Sequence, residues 1–239
     1  MSPDADATAL RPTALDHVAL WVADREPLAR FLCDYLGMHV IEQTEKFTLV
    51  GADARRGKLT LFDAEGPREV GALERVVLRV SDLDAAVERL PDGVEVELLA
   101  PGVAGFEALE GLRLGLTDSG GDAPGPEYDL DHVVLRVADP DQTFEALTQL
   151  GFDAQDGRLV VADKHVELVG GGKPEGERPL LNHLALLVDS AQAIHEEALA
   201  RGLDVQDFVD APNTLAVFLW GPDRIRLEYV EHKPSFSLV

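Results

Sequence analysis

The chain has 239 residues, 46% of them apolar, enough for a packed core in one large or two ordinary domains. Its 44 acidic and 21 basic residues give a formal charge of −23, which repels phosphate backbones and anionic lipid, so neither nucleic acid nor a membrane is an expected partner. The single Cys33 excludes an internal disulfide framework and any multi-cysteine metal site, which fits a cytoplasmic location.

Residues 1–14 lack the apolar centre of a signal peptide and are expected to form a disordered leader. No later run of about 18 or more apolar residues suggests a membrane span. From Leu15 the chain reads "LDHVALWVADREPLARFLCDYLGMHV": an alternating strand, then a helix that Asp24 can cap and Gly37 can stop. "LERVVLRVSDLDAAVERLPDGVEV" repeats the pattern from Leu73, with Ser81 and Asp82 at the helix start and Gly93 at its end. The stretch "DSGGDAPGPEYD" follows, the richest in Gly, Pro and Asp, and marks the main boundary.

The third unit, "LDHVVLRVADPDQTFEALTQLGF" from Leu130, places Asp139 and Pro140 at the helix start and Gly151 at its end. The fourth, "LNHLALLVDSAQAIHEEALARGL" from Leu181, has Asp189 and Ser190 before its helix and Gly202 after it. Behind each helix come short strands separated by turns, such as "GRLVVAD" then "KHVELVGGG", and "TLAVFLW" then "GPDRIRLEYVE". Four β-α-β-β-β modules at a period of roughly 50 to 60 residues predict an α+β fold of two domains, 15–121 and 122–239, with two modules in each.

This pattern resembles the vicinal oxygen chelate superfamily of glyoxalases, epimerases, bleomycin-resistance proteins and extradiol dioxygenases. "LDHVVLRV", "LNHLALLV" and "GPDRIRLEYVE" resemble its most recognisable segments, and the resemblance runs from Leu15 to about Lys233. It implies paired modules that form a cup, with one divalent metal held by first and last strands, and a small-molecule substrate that chelates through two adjacent oxygens. A homodimer is compatible with this.

Strand parity then selects ligands, because side chains two apart share a sheet face. Val133, Leu135 and Val137 form an apolar face, so His132 looks into the cup; Leu184, Leu186 and Val188 do the same for His183. Ile225, Leu227 and Tyr229 send Glu228 to the cup side, and Glu167, with His165 on the same face, occupies the equivalent place in the third module. The expected metal ligands are therefore His132, His183, Glu228 and Glu167, a set suited to Fe, Mn, Ni, Co or Zn, with Glu167 and His165 as the catalytic candidates. The matching places in the first two modules hold His17, Thr60, Arg75 and Gly115, so the N-terminal domain is expected to be metal-free, His17 a structural relic and Arg75 a salt-bridge partner.

Two chemistries compete. A carboxylate base beside a metal-polarised carbonyl gives glyoxalase- or epimerase-type isomerase or lyase activity, the reading that Glu167 favours. Four modules with one metal site resemble extradiol dioxygenases instead, in which His165 would match a histidine near the metal, although the Tyr implied ten residues before the ligand Glu is Phe218 here. A metal-free binding or resistance protein is the third reading, with Phe218 and Trp220 as a stacking surface.

Overall fold

Helix caps and strand alternation place the elements where the sequence puts them. The computed structural model describes residues 10–53, 56–69, 71–118, 126–172 and 178–236. Module one comprises β1 (Ala14–Val22), α1 (Arg25–Leu36), β2 (His39–Gln43), β3 (Phe47–Gly51) and β4 (Lys58–Asp63). Module two comprises β5 (Leu73–Val80), α2 (Leu83–Glu88), β6 (Val96–Ala100), β7 (Val103–Glu107) and β8 (Arg113–Asp118). Module three runs through β9 (Asp129–Arg136), α3 (Pro140–Gln149), β10 (Asp153–Gln155), β11 (Arg158–Val161) and β12 (Lys164–Val169). Module four is β13 (Leu181–Leu187), α4 (Ala191–Ala200), β14 (Val205–Asp210), β15 (Thr214–Trp220) and β16 (Arg226–His232).

The side chains of Asp24, Asp82, Asp139 and Ser190 each accept from a backbone N–H in the first turn of their helix, satisfying a donor that would otherwise be orphaned. Gly37 closes α1 at φ 58, a left-handed conformation that a side chain disfavours. The second helix departs from expectation. It ends at Glu88 rather than near Gly93, because Pro91 lacks an N–H and restrains Leu90 from continuing the helix.

Two eight-stranded sheets result, ordered β14-β15-β16-β13-β1-β4-β3-β2 and β10-β11-β12-β9-β5-β8-β7-β6. Module one thus pairs with module four, and module two with module three. This corrects the expected division into 15–121 and 122–239: each of those halves gives one module to each sheet. The expected boundary near 118–129 joins β8 to β9 within one sheet, and residues 119–125 lie outside the described residues. Alternation fixes which face a residue takes but not which strand lies alongside, and the four first strands read almost alike.

On the face turned towards the helices, Val18, Leu20, Leu184, Leu186 and Leu227 of the first sheet share one hydrophobic core with Val76, Leu78, Val133 and Leu135 of the second. Each such burial stabilises the fold by about 1.5–3 kcal/mol. Phe31 of α1 meets Phe106 of β7 at 6.4 Å between ring centroids, and the Tyr229 hydroxyl donates to the Leu150 carbonyl at 2.6 Å. The helical layer therefore bridges the sheets and leaves the opposite faces as cups.

The leader also needs correction. Leu10 is fully buried, and the Thr13 amide donates to the Leu187 carbonyl at 2.7 Å, so residues 10–13 belong to the packed domain; residues 1–9 lie outside the described residues. Among the described residues no helix is long and apolar enough to cross a membrane.

Candidate metal centre

The four central strands of the first sheet, β16, β13, β1 and β4, carry Glu228, His183, His17 and Thr60 to one face. Register sets their spacing. Ala185 lies between His17 and Glu228 on the flanking strands, and Ala19 lies between His183 and Thr60. Both alanines are fully buried, and their methyl groups form a low floor over which the longer side chains can lean together.

They do converge. His17 Nε2 is 3.2 Å from His183 Nε2 and 3.4 Å from Glu228 Oε2, and His183 Nε2 is 2.9 Å from Glu228 Oε2. Donors bound to one ion at about 2.1 Å stand about 3.0 Å apart at right angles and about 3.4 Å apart at the tetrahedral angle. The three separations fit a single divalent ion, and two imidazoles with one carboxylate suit Fe, Mn, Co, Ni or Zn.

The histidines are oriented from behind. Asp16 Oδ2 accepts from His17 Nδ1 at 2.9 Å, and Asn182 Oδ1 accepts from His183 Nδ1 at 2.9 Å, which leaves each Nε2 lone pair aimed at the site. A register shift in β1 between Leu15 and His17 accompanies the turn of Asp16 beside its neighbour. Lys58 Nζ, on β4, donates to both Asp16 oxygens at 2.8 Å in a buried pair. Asn182 Oδ1 also accepts from Arg226 at 3.1 Å, and that guanidinium lies 4.0 Å over the Phe218 ring.

Electrostatics favour the ligand-competent forms. Burial pushes the His183 imidazole down, against the pull of Glu228, which favours the neutral, ligating form. Burial alone would push the Glu228 carboxyl up, but His183 and His17 outweigh it and hold the group below the usual range. For Asp16 too, burial works upward and loses to Lys58, His17 and His232, leaving the carboxyl well below its ordinary range.

The site opens into a cavity of about 660 Å³. Phe47, Leu49, Phe62, Phe218, Val230 and Phe236 give it apolar and aromatic walls, while Thr60, Lys58 and His232 are among its polar ones. His232 stacks on Phe236 at 3.9 Å, with its Nε2 3.5 Å from Asp16 Oδ1.

Of the residues expected from sequence, only His183 and Glu228 stand in this first site. His132, His165 and Glu167 lie in the other sheet, on β9 and β12, so they do not share a site with His183, and the four-ligand set drawn from modules three and four is corrected accordingly. His17, expected to be a relic, stands in the site instead. In the second cup, His165 stacks on His132 at 4.5 Å and its Nε2 is 3.3 Å from Glu167 Oε1. That hydrogen bond, with the charges of His132, His165 and Arg158, holds the Glu167 carboxyl below its usual range despite burial. Arg75 pairs with Glu97 at 3.3 Å, as expected of it, and Arg136 pairs with Glu74 at 2.8 Å.

One sequence signal separates the two pairings. Modules one and four both read His-x-Ala, whereas two and three carry Val77 and Val134 at the same place, so only the first pairing has a floor low enough for ligands of two modules to converge across the cup. The Asp or Asn before a His marks a histidine whose Nδ1 is held, but Asp131 before His132 carries that mark too and does not choose between the cups.

Residues 14–118 match the family model described as Glyoxalase/Bleomycin resistance protein/Dioxygenase superfamily. The match covers modules one and two, and modules three and four repeat the same unit in the same two sheets. Members of the superfamily are mostly metal-dependent enzymes, glyoxalases and dioxygenases among them. No curated protein matches the sequence. Among solved structures, a candidate dioxygenase from Bacillus subtilis subsp. subtilis str. 168 superposes with a TM-score of 0.78 at 15% identity, over 94% of this chain and 86% of that one. Glyoxalase I from Zea mays gives 0.71 at 18% identity, covering 92% of each chain. The cppA protein from Streptococcus pneumoniae TIGR4 gives 0.63 at 13% identity, over 92% of this chain and 98% of that one. At these identities the likeness is one of fold.

Proposed function

We propose that the first cup holds one divalent metal through His17 Nε2, His183 Nε2 and the Glu228 carboxylate, and that the protein cleaves catechol-type rings by extradiol dioxygenation. The observation that carries this is the ligand count. Three protein donors converge, and the fourth equivalent place holds Thr60, whose neutral hydroxyl is neither a strong ligand nor a base. A two-histidine, one-carboxylate set leaves room for a substrate that chelates through two oxygens and for one further small ligand. When bound, an Fe(II) or Mn(II) ion supplies Lewis acidity for the chelated oxygens and the one-electron chemistry that dioxygen requires. Both atoms of dioxygen end in the product, so no external reductant is needed.

The isomerase or lyase alternative requires a carboxylate base beside the metal. Glu167 was its candidate and lies in the other cup. A metal-free binding role gives no reason for two histidines to be held by their Nδ1 atoms with both Nε2 atoms turned on one carboxylate.

The chain's own groups divide the remaining work. Phe47, Phe62 and Phe218 provide a stacking surface for an aromatic ring and exclude water from it. Lys58 is neutralised by Asp16, which favours an uncharged ring over one carrying a carboxylate. Phe218 has no hydroxyl to offer, so the cavity imidazole of His232 is the group assigned to take the proton of the chelating hydroxyl. The test is oxygen uptake by Fe(II)-reconstituted protein with a panel of uncharged catechols. Uptake matched one to one by ring-cleavage product is expected; isomerisation of a glyoxalase-type substrate without oxygen uptake would overturn the proposal.

A further inference from the structure

The second cup holds a cluster that the reading above leaves unused. On the adjacent parallel strands β9 and β12, His132 and His165 lie side by side in register. Asp131, His132 and His165, all half-buried, offer ligand atoms within 4.8 Å of one another. Glu167 reaches the same place, with Oε1 3.3 Å from His165 Nε2 and Oε2 4.0 Å from His132 Nε2. Two donors on one ion with bonds of about 2.1 Å stand at most about 4.2 Å apart, so the carboxylate can share an ion with each imidazole without backbone movement. Asp131 Oδ1 accepts from His132 Nδ1 at 2.6 Å, repeating the arrangement that orients His17 and His183.

We propose that this cup is a second metal site, in which His132, His165 and Glu167 bind a borderline divalent ion such as Zn(II), Co(II) or Ni(II). The imidazole-rich donor set selects that class over Mg(II) or Ca(II). The site is weaker than the first for three reasons. The 4.0 Å between Glu167 Oε2 and His132 Nε2 exceeds every separation in the first cup, where the donors stand 2.9 to 3.4 Å apart. The imidazoles are stacked with their planes at 19°, so they must turn to aim at one point, whereas the first pair already meets at 71°. Arg158 stands 3.3 Å from Glu167 Oε1 and must give way to the ion. The facing module offers only Arg75 and Gly115 at its equivalent places, so the ion ties β9 to β12 and has no partner across the cup.

The experiment is a Co(II) or Zn(II) titration of the metal-free full chain, with stoichiometry read by calorimetry and by Co(II) absorption. Two unequal equivalents per chain are expected, the weaker lost in His132→Ala and His165→Ala and retained in His183→Ala. Glu167→Gln, which keeps the shape, should weaken that equivalent at least tenfold. Arg158→Ala should tighten it, a gain that damaged folding cannot mimic. A single equivalent that vanishes in His183→Ala but survives in His132→Ala would overturn this proposal and leave the first site standing. A single equivalent with the reverse pattern would support this site and overturn the first. No binding at all would overturn both.

Discussion

Asp16 joins the fold to the metal centre, and Asp16→Asn separates its two roles. In the wild type its oxygens hold Lys58 Nζ, whose side chain is 2% exposed, and one of them also accepts from His17 Nδ1. Replacement leaves a buried ammonium beside a neutral amide. Breaking a buried pair in this way costs about 3–5 kcal/mol. At about 2–4 °C per kcal/mol for a chain of this size, the melting midpoint should fall by about 6–20 °C. Loss of the carboxylate behind His17 should also weaken metal binding by about ten- to a hundredfold. Adding Lys58→Met removes the stranded charge and should return the midpoint to near the wild type, while metal affinity stays low. Thermal melting of the metal-free proteins and Co(II) titration read the two effects separately. Restoration of metal affinity along with stability in the double variant would refute the role assigned to Asp16 behind His17. The pH dependence has a definite sign. The Asp16 carboxyl is depressed, so its contribution is complete above the ordinary carboxylate range and is lost as pH falls through the folded value. The gap in midpoint between wild type and Asp16→Asn should be full at neutral pH and close in acid.

Other substitutions test the rest of the site. His17→Ala, His183→Ala and Glu228→Ala should each abolish the tighter metal equivalent, measured by metal content after dialysis; its survival in His17→Ala would restore the relic reading of that residue. Ala185→Val raises the floor between His17 and Glu228, and should weaken metal binding at least tenfold at a stability cost of about 1–3 kcal/mol; an unchanged affinity would show that the floor is not limiting. His232→Gln should leave metal content intact and lower oxygen uptake by roughly a hundredfold. Equal turnover by the variant would mean that another group takes the proton.

Local chemistry was legible in the sequence, and neighbourhood was not. Asp24, Asp82, Asp139 and Ser190 announced their helices because a cap acts within one turn of chain. Parity placed His17, His132, His183, Thr60, Glu167 and Glu228 on cup faces because the two-residue period needs no partner strand. Which cup each entered depended on pairings such as β1 with β13, across more than 160 residues, where four similar strands compete and alternation does not distinguish them. Only the size of the residue beneath each ligand, Ala19 and Ala185 against Val77 and Val134, carried that information. Leu10 escaped notice for a related reason: a lone apolar residue in a polar stretch has no period, and its burial beside Gly151 arises from the tertiary fold.

The pairing of first module with last nests the chain like brackets, with modules two and three enclosed by one and four. A ribosome delivers the inner pair whole while β1 still lacks its neighbour, Leu187 emerging long after the Ala14 it will face. At about 5–20 residues per second, β1 waits on the order of ten seconds or more with an unpaired edge, the state in which strands join the wrong partner. The metal donors on β1 therefore meet those on β13 and β16 only at the end of synthesis. A chain cut short before Arg226 would possess its inner sheet and no first metal site, so binding of that ion reports that translation has run through the final module.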